Sequence, residues 1–373
     1  MNQVDLERLL DEAEAIRWET LRYKQADFTW VIYDALDRYR KTGLRPNYPM
    51  SVGVKLTSKC NMKCFYCSNA KTAGTPLPAA RRLQVLDELS EAGCIVHLTG
   101  GEPLLDTALF PTIDLLAAKR VPLTLFTNGL LINNSIAEEL SRRACNTAFS
   151  VQVSLDGGEA FYASRFSNRG YLRSISSAID CLKKANIHVR LNMVVNRHNL
   201  DEMTIVFAVA HAHGVDEVAL TPIFVTPETR DLFPGNGEIV TAYHQAMTVF
   251  QRKGYRFAVI QSPEACRYGL RAHSDFDYKC PAGISSCEID EYGNVYPCAF
   301  LNVPRFQYGN VAEMDLGTVW SDPRWREWFV REKPSGTCTS KCDGVCPASS
   351  FFAFGNLDGC DIRCELVGNR AAV

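Results

Sequence analysis

From residue 51 onward the chain alternates between two hydrophobic rhythms. Short runs dense in apolar and β-branched residues give way to longer stretches whose apolar positions recur every three or four residues. The short runs predict strands over 51–58, 94–103, 122–129, 148–158, 188–196 and 217–224. The longer ones predict helices over 78–93, 107–120, 135–144, 171–185, 200–214 and about 237–253. Ahead of them, 5–42 mixes charged and apolar residues at helical spacing until Gly43 and Pro46 end it. Strand followed by helix, repeated six times, requires parallel strands joined by right-handed crossovers. A closed eight-fold barrel needs about 250 residues and two further units. The expected fold is therefore α/β, an open partial (β/α)6 barrel over 49–255. A helical extension over 1–48 precedes it and a further module over 256–373 follows. In such folds chemistry sits on the loops after the strand C-termini.

Composition alters this picture little. Over 373 residues the apolar share is 46% and the formal net charge −2. Neither creates a pull toward nucleic acid or an anionic membrane. No apolar run reaches the length of a membrane span, and acidic residues stand where a signal peptide has its basic head. A cytoplasmic protein with no nucleic-acid or membrane partner is expected. The fifteen cysteines matter more. Disulfides rarely persist in a reducing compartment, so grouped thiols point to metal or catalysis. They form two dense groups, at 60–67 and 280–364, with Cys94, Cys145, Cys181 and Cys266 scattered between.

The first group, Cys60-Asn-Met-Lys-Cys64-Phe-Tyr-Cys67, follows the first strand. Soft thiolates select iron–sulfur clusters, and three of them leave one iron open for a small molecule. A zinc knuckle or three unrelated buried thiols would fit the spacing alone. The following strands also end in polar turns: Thr99-Gly100-Gly101-Glu102-Pro103, Thr127-Asn128-Gly129 and Ser154-Leu155-Asp156-Gly157. Two adjacent glycines let a ligand approach the backbone closely.

The cysteine spacing, the aromatic Tyr66 before the last thiol and the order of these turns resemble the radical S-adenosylmethionine (radical SAM) enzymes. The resemblance covers 51–225 and implies a TIM-type partial barrel. It implies a [4Fe-4S] cluster on Cys60, Cys64 and Cys67, whose open iron chelates SAM and reduces it to a 5′-deoxyadenosyl radical. Gly100, Gly101 and Glu102 would hold the SAM amino group, and Asn128 belongs to another recurrent turn. Ser154 and Asp156 would suit the ribose hydroxyls, and Arg165 would pair with the SAM carboxylate. Asn192 is an inward polar candidate on the fifth strand.

The second group holds Cys280, Cys287, Cys298, Cys338, Cys342, Cys346, Cys360 and Cys364, eight thiols that suffice for two four-cysteine clusters. Spacing does not separate zinc from iron here. The hairpin 290–298 and the stretch 309–320, with its glycine turn and tryptophan, resemble the SPASM extension of radical SAM enzymes. That resemblance implies two auxiliary [4Fe-4S] clusters. Cys280, Cys287, Cys298 and Cys346 would hold one; Cys338, Cys342, Cys360 and Cys364 would hold the other. The family places two cysteines three apart before the C-x3-C pair, whereas Cys338 stands alone.

By resemblance, the leading expectation is a maturase that oxidises or cross-links a side chain of a ribosomally synthesised peptide, with flavodoxin or ferredoxin as electron donor. In sulfatase maturases a carboxylate follows the hairpin's last cysteine; Ala299 stands there, which argues against formylglycine formation. The helical pattern of the first 50 residues lacks the strands of a leader-peptide recognition domain. The rival is a natural-product tailoring enzyme, a sugar or aminoglycoside epimerase or dehydrogenase. An epimerase needs a hydrogen donor, for which Cys266 is the candidate, unless it is a buried structural thiol.

Overall fold

The computed structural model describes residues 45–67, 74–261, 280–325 and 346–357. The helix expected over 5–42 lies outside them, as do Cys266, Cys338, Cys342, Cys360 and Cys364. All six expected strands form: β1 (Ser51–Lys55), β2 (Ile95–Thr99), β3 (Leu123–Thr127), β4 (Phe149–Ser154), β5 (His188–Val195) and β6 (Glu217–Pro222). A seventh, β7 (Ala258–Gln261), pairs with β6, just beyond the expected boundary at 255. Each strand pairs in parallel with the next. The crossovers carry α1 (Ala79–Glu91), α2 (Leu109–Ala118), α3 (Asn134–Arg143), α4 (Glu159–Arg165), α5 (Tyr171–Lys184), α6 (Met203–Ala212) and α7 (Asn236–Lys253). The short α4 was not expected from periodicity; at seven residues it spans only two turns.

Side chains alternate across each strand and so divide the sheet into two faces. Val96, Leu98, Leu125, Val151, Val153, Val189 and Leu191 are fully buried in one continuous core with Leu86, Leu89, Ile113, Leu140, Ile179 and Phe207 from the helices. Burying each such side chain contributes about 2 kcal/mol. The opposite face, the interior of the partial barrel, carries His97, Gln152, Ser154, Arg190, Asn192 and Thr221, none of them fully buried. A packed apolar face thus holds a polar one in place.

The C-terminal cysteine hairpin extends this same sheet. β8 (Ser286–Ile289) pairs in parallel with β1 on the side away from β2. β9 (Asn294–Tyr296) and β10 (Gly309–Asn310) continue antiparallel, giving ten strands in one sheet. Gly293, in the turn between β8 and β9, has φ +86°, a left-handed conformation that glycine adopts without steric cost. Beyond β10, α8 (Leu316–Trp320) ends on a buried tryptophan. The Arg45 guanidinium stacks 3.4 Å from the centre of the Trp320 ring, and Trp320 Nε1 donates to the Pro46 carbonyl at 2.9 Å. This contact, worth about 1 kcal/mol or more for the cation–π part, fastens the entry to β1 onto the C-terminal module.

Candidate cysteine loop and its supporting network

Each polar strand-end turn leads to the loop after β1. That loop carries Cys60 and Cys67 exposed and Cys64 partly buried. The Cys67 amide donates to the Cys64 carbonyl at 3.1 Å, closing a tight turn between the last two cysteines. Burial, and then the neighbouring Cys67, push the Cys64 thiol up to about 12. A bare thiolate is therefore disfavoured here, whereas a bound cation reverses that preference. The donor set suits a thiolate-ligated, positively charged centre.

Gly100 and Gly101 pack against this loop. A Cβ on Gly100 would stand 2.7 Å from the Thr57 carbonyl oxygen, and one on Gly101 2.3 Å from that of Lys59. Both contacts are with backbone, which cannot yield. The Gly101 amide donates to Thr57 O at 2.6 Å and the Glu102 amide to Lys59 O at 2.8 Å. The glycines therefore serve a close chain-to-chain approach, not only the ligand approach expected of them.

The Glu102 side chain is wholly buried and tied to protein donors. Its Oε1 accepts from the Thr127 hydroxyl at 2.8 Å and the Leu104 amide at 3.2 Å; Oε2 accepts from the Asn128 amide at 2.8 Å. The carboxylate thereby binds the end of β3 to the turn after β2. Asn128, so held, extends Nδ2 to Asn61 Oδ1 at 2.7 Å and to Cys60 Sγ at 3.9 Å.

Asp156 departs from expectation. It is 2% exposed, and its carboxylate accepts from the Tyr66 hydroxyl and, at 2.8 Å, from the Val194 amide. Burial pushes this carboxyl up to about 6 against the lowering effect of both donors. A carboxylate so enclosed clamps Tyr66, between two of the thiols, to β4 and β5; it is not open to ribose hydroxyls. Ser154 is partly accessible at the end of β4, in register with Asn192. Asn192 Oδ1 accepts from the Thr221 hydroxyl at 2.8 Å.

Two residues that sequence reasoning missed complete the frame. The Tyr171 hydroxyl donates to the carbonyls of Asn128 at 3.0 Å and Ser154 at 3.3 Å, joining the ends of β3 and β4. Tyr162 stacks on Tyr171 with ring centres 3.8 Å apart, and its hydroxyl accepts from the Asp156 amide at 2.7 Å. Arg165 stands exposed in the last turn of α4. Burial and the charges of Arg165 and Arg197 hold the His198 ring below its usual range, and His198 lies 6.1 Å from Phe65 in the cysteine loop. Arg165 is thus on the cysteine-loop side of the sheet.

The second group of thiols divides. Cys280, Cys298 and Cys346 share one apolar cluster with Phe224, Leu301, Phe306 and Leu357. Burial and then Cys280 and Cys346 raise the Cys298 thiol well above its ordinary value, the same sign that a cationic centre suits. Cys287 is elsewhere. On β8 it sits opposite Val52 and points into the main core, near Cys94. Its expected place beside Cys280, Cys298 and Cys346 is overturned by strand alternation: Cys287 and Ile289 face the core, while Ser286 and Glu288 face the other way.

A family model described as the Radical SAM superfamily matches residues 54–209, and one described as an iron-sulfur cluster-binding domain, SPASM, matches 280–347. Mycofactocin maturase MftC of Mycobacterium ulcerans is 29% identical over 339 residues, covering 85% of this chain and 88% of that protein. AdoMet-dependent heme synthase of Methanosarcina barkeri is 26% identical, covering 85% of this chain and 92% of its own. PqqA peptide cyclase of Granulibacter bethesdensis is 24% identical, covering 85% and 87%. The two matched segments coincide with the cysteine loop and its barrel and with the C-terminal hairpin. The chain belongs to the radical SAM superfamily, as a SPASM-containing enzyme that uses SAM and iron–sulfur clusters.

Proposed function

We propose that Cys60, Cys64 and Cys67 ligate the SAM-binding cluster and that the enzyme oxidises or cross-links a side chain of a ribosomally synthesised peptide. The observation that carries the first part is the convergence of Glu102, Asn128, Tyr66 and Asp156 on one loop of three thiols. When bound, the open-iron cluster and SAM supply a 5′-deoxyadenosyl radical. The chain's own residues orient and enclose. Asn128 and the Gly100–Gly101 turn set the loop's position, and the Arg165 guanidinium would pair with the SAM carboxylate as a fork. Ser154 and Asn192 offer hydroxyl and amide groups from the barrel interior, and a flavodoxin or ferredoxin would donate the electron.

The similarity to PqqA peptide cyclase supports a peptide substrate. Similarity to the heme synthase supports the second reading, a small-molecule tailoring reaction. The test is anaerobic incubation of the enzyme, SAM and reductant with candidate precursor peptides, taken from short reading frames found by sequencing the DNA around its gene, followed by mass spectrometry. Loss of two hydrogens, with no deuterium taken up from deuterated solvent, is expected. One solvent deuterium in the product would point instead to epimerisation, with Cys266 as the hydrogen donor. An unchanged peptide would overturn the peptide reading.

For the auxiliary clusters we propose Cys280, Cys298 and Cys346 as ligands, with Cys338, Cys342, Cys360 and Cys364 supplying the others. Cys298→Ala is expected to remove up to about four irons per chain. Cys287→Ala should keep the full iron content and lower stability by about 1 kcal/mol through lost packing. Equal iron loss in both variants would restore Cys287 to the ligand set.

A further inference from the structure

One carboxylate inside the barrel has no hydrogen-bond or ion-pair partner among the described residues. Glu288 lies on β8 opposite Gly53 of β1, and Gly53 lies opposite His97 of β2. Glu288 therefore shares the inner face with Ser154 and Asn192, the face that opens below the cysteine loop. Its side chain occupies the place that a residue larger than glycine would fill at 53: a Cβ there would stand 2.0 Å from Glu288 Oε2. The carboxylate is set deep among protein atoms, while Glu288 as a residue keeps part of its surface accessible on the inner face.

Two cations on the same face of the sheet pair with other carboxylates. Lys55, two residues along β1, pairs with Glu291 at 2.8 Å, and Arg190 pairs with Glu217 at 2.6 Å. On the other side of Gly53, His97 Nδ1 is buried without a hydrogen-bond partner. Burial and the Arg190 charge lower that ring to about 4, so it is a neutral imidazole at physiological pH. A carboxylate and an imidazole nitrogen, both lacking partners among the described residues, thus flank one side-chain-free strand position. Leaving buried polar groups unpaired is costly, and native proteins do so where another molecule completes the bonds.

We propose that Glu288 is a substrate-contacting residue, accepting a hydrogen bond from an N–H or O–H donor on the side chain that enters the barrel. A cationic donor, the amine or guanidinium of lysine or arginine, suits it best, because no cation among the described residues pairs with the carboxylate. His97 Nδ1 takes a second polar contact beside it. This inference rests on the peptide reading above.

The test has one arm without substrate and one with it. In the first, the reconstituted holoenzyme is treated with a water-soluble carbodiimide and glycinamide and mapped by mass spectrometry. Glu288 should be modified while the enclosed Glu102 and Asp156 are not; an unmodified Glu288 beside modified surface carboxylates overturns the inference. In the second, affinity for the precursor peptide is measured by fluorescence anisotropy. Glu288→Ala should weaken it on the order of tenfold to a hundredfold, as loss of a charge-assisted hydrogen bond does, with iron content unchanged. Gly53→Ala should weaken it too, because its Cβ displaces the carboxylate without removing it. Should Glu288→Ala fail to fold, the isosteric Glu288→Gln carries the comparison. Wild-type affinity in these variants, with the peptide still processed by the native enzyme, overturns the inference alone. A native enzyme that neither binds nor alters the peptide overturns the peptide reading and this contact with it.

Discussion

A variant in which Cys60, Cys64 and Cys67 are all alanine is expected to lose about four irons and four sulfides per chain and all production of 5′-deoxyadenosine. The native enzyme should hold about twelve irons if three cubane clusters form. The reasoning is local. Among the described residues, the other thiols of the metal-binding kind, Cys280, Cys298 and Cys346, lie in a separate apolar cluster beneath Phe224. Nothing in that cluster can take over the loop's ligands, so the C-terminal iron should survive. Folding should survive as well, since Cys60 and Cys67 are exposed and the turns beneath them are held by Glu102 and Asp156, not by sulfur. Iron and sulfide assays with chromatography of the SAM products give the answer. Unchanged iron in the triple variant, or persisting 5′-deoxyadenosine, would place the radical cluster elsewhere.

Much of this arrangement was legible in the sequence, and the rest fails for identifiable reasons. The strand–helix alternation located β1 to β6 because each strand is packed by helices on one face and its apolar content is high. It did not reach β7 or α4, which are too short to show a period. The polar turns were found, but not what their carboxylates do. Whether Asp156 faces a ligand or a hydroxyl of its own chain depends on Tyr66, 90 residues away. Likewise Glu102 reaches Asn128 across 26 residues. Residue type and order say that such positions matter; only the partners say how. Cys287 is different, because its place in the core is readable from the sequence. The run Ser286-Cys287-Glu288-Ile289 already alternates, and a cysteine in phase with an isoleucine belongs to the core. Its place among the cluster ligands rests on the resemblance to the SPASM extension alone.

The second large effect is expected at Glu102. Glu102→Ala removes the acceptor of three donors at once: the Leu104 amide, the Thr127 hydroxyl and the Asn128 amide. Each buried donor left without a partner costs about 1–3 kcal/mol, and the side chain is fully enclosed, so solvent relieves little of it. A loss of about 3–5 kcal/mol is the expected order, near what breaking a buried charged network costs. The functional damage should exceed the thermal one. Asn128 owes its position to Glu102, and Asn128 is the residue that reaches Asn61 and Cys60 from β3. Releasing it should loosen the cysteine loop on the side where SAM is proposed to bind, so SAM affinity should fall while the C-terminal clusters keep their iron. Glu102→Gln retains one carbonyl acceptor but turns an amide toward the remaining donors, so it should fall between alanine and the native residue. Thermal unfolding, iron content and SAM titration of the two variants separate these contributions. Native SAM affinity in Glu102→Ala would show that the strand-end network supports the fold without shaping the site.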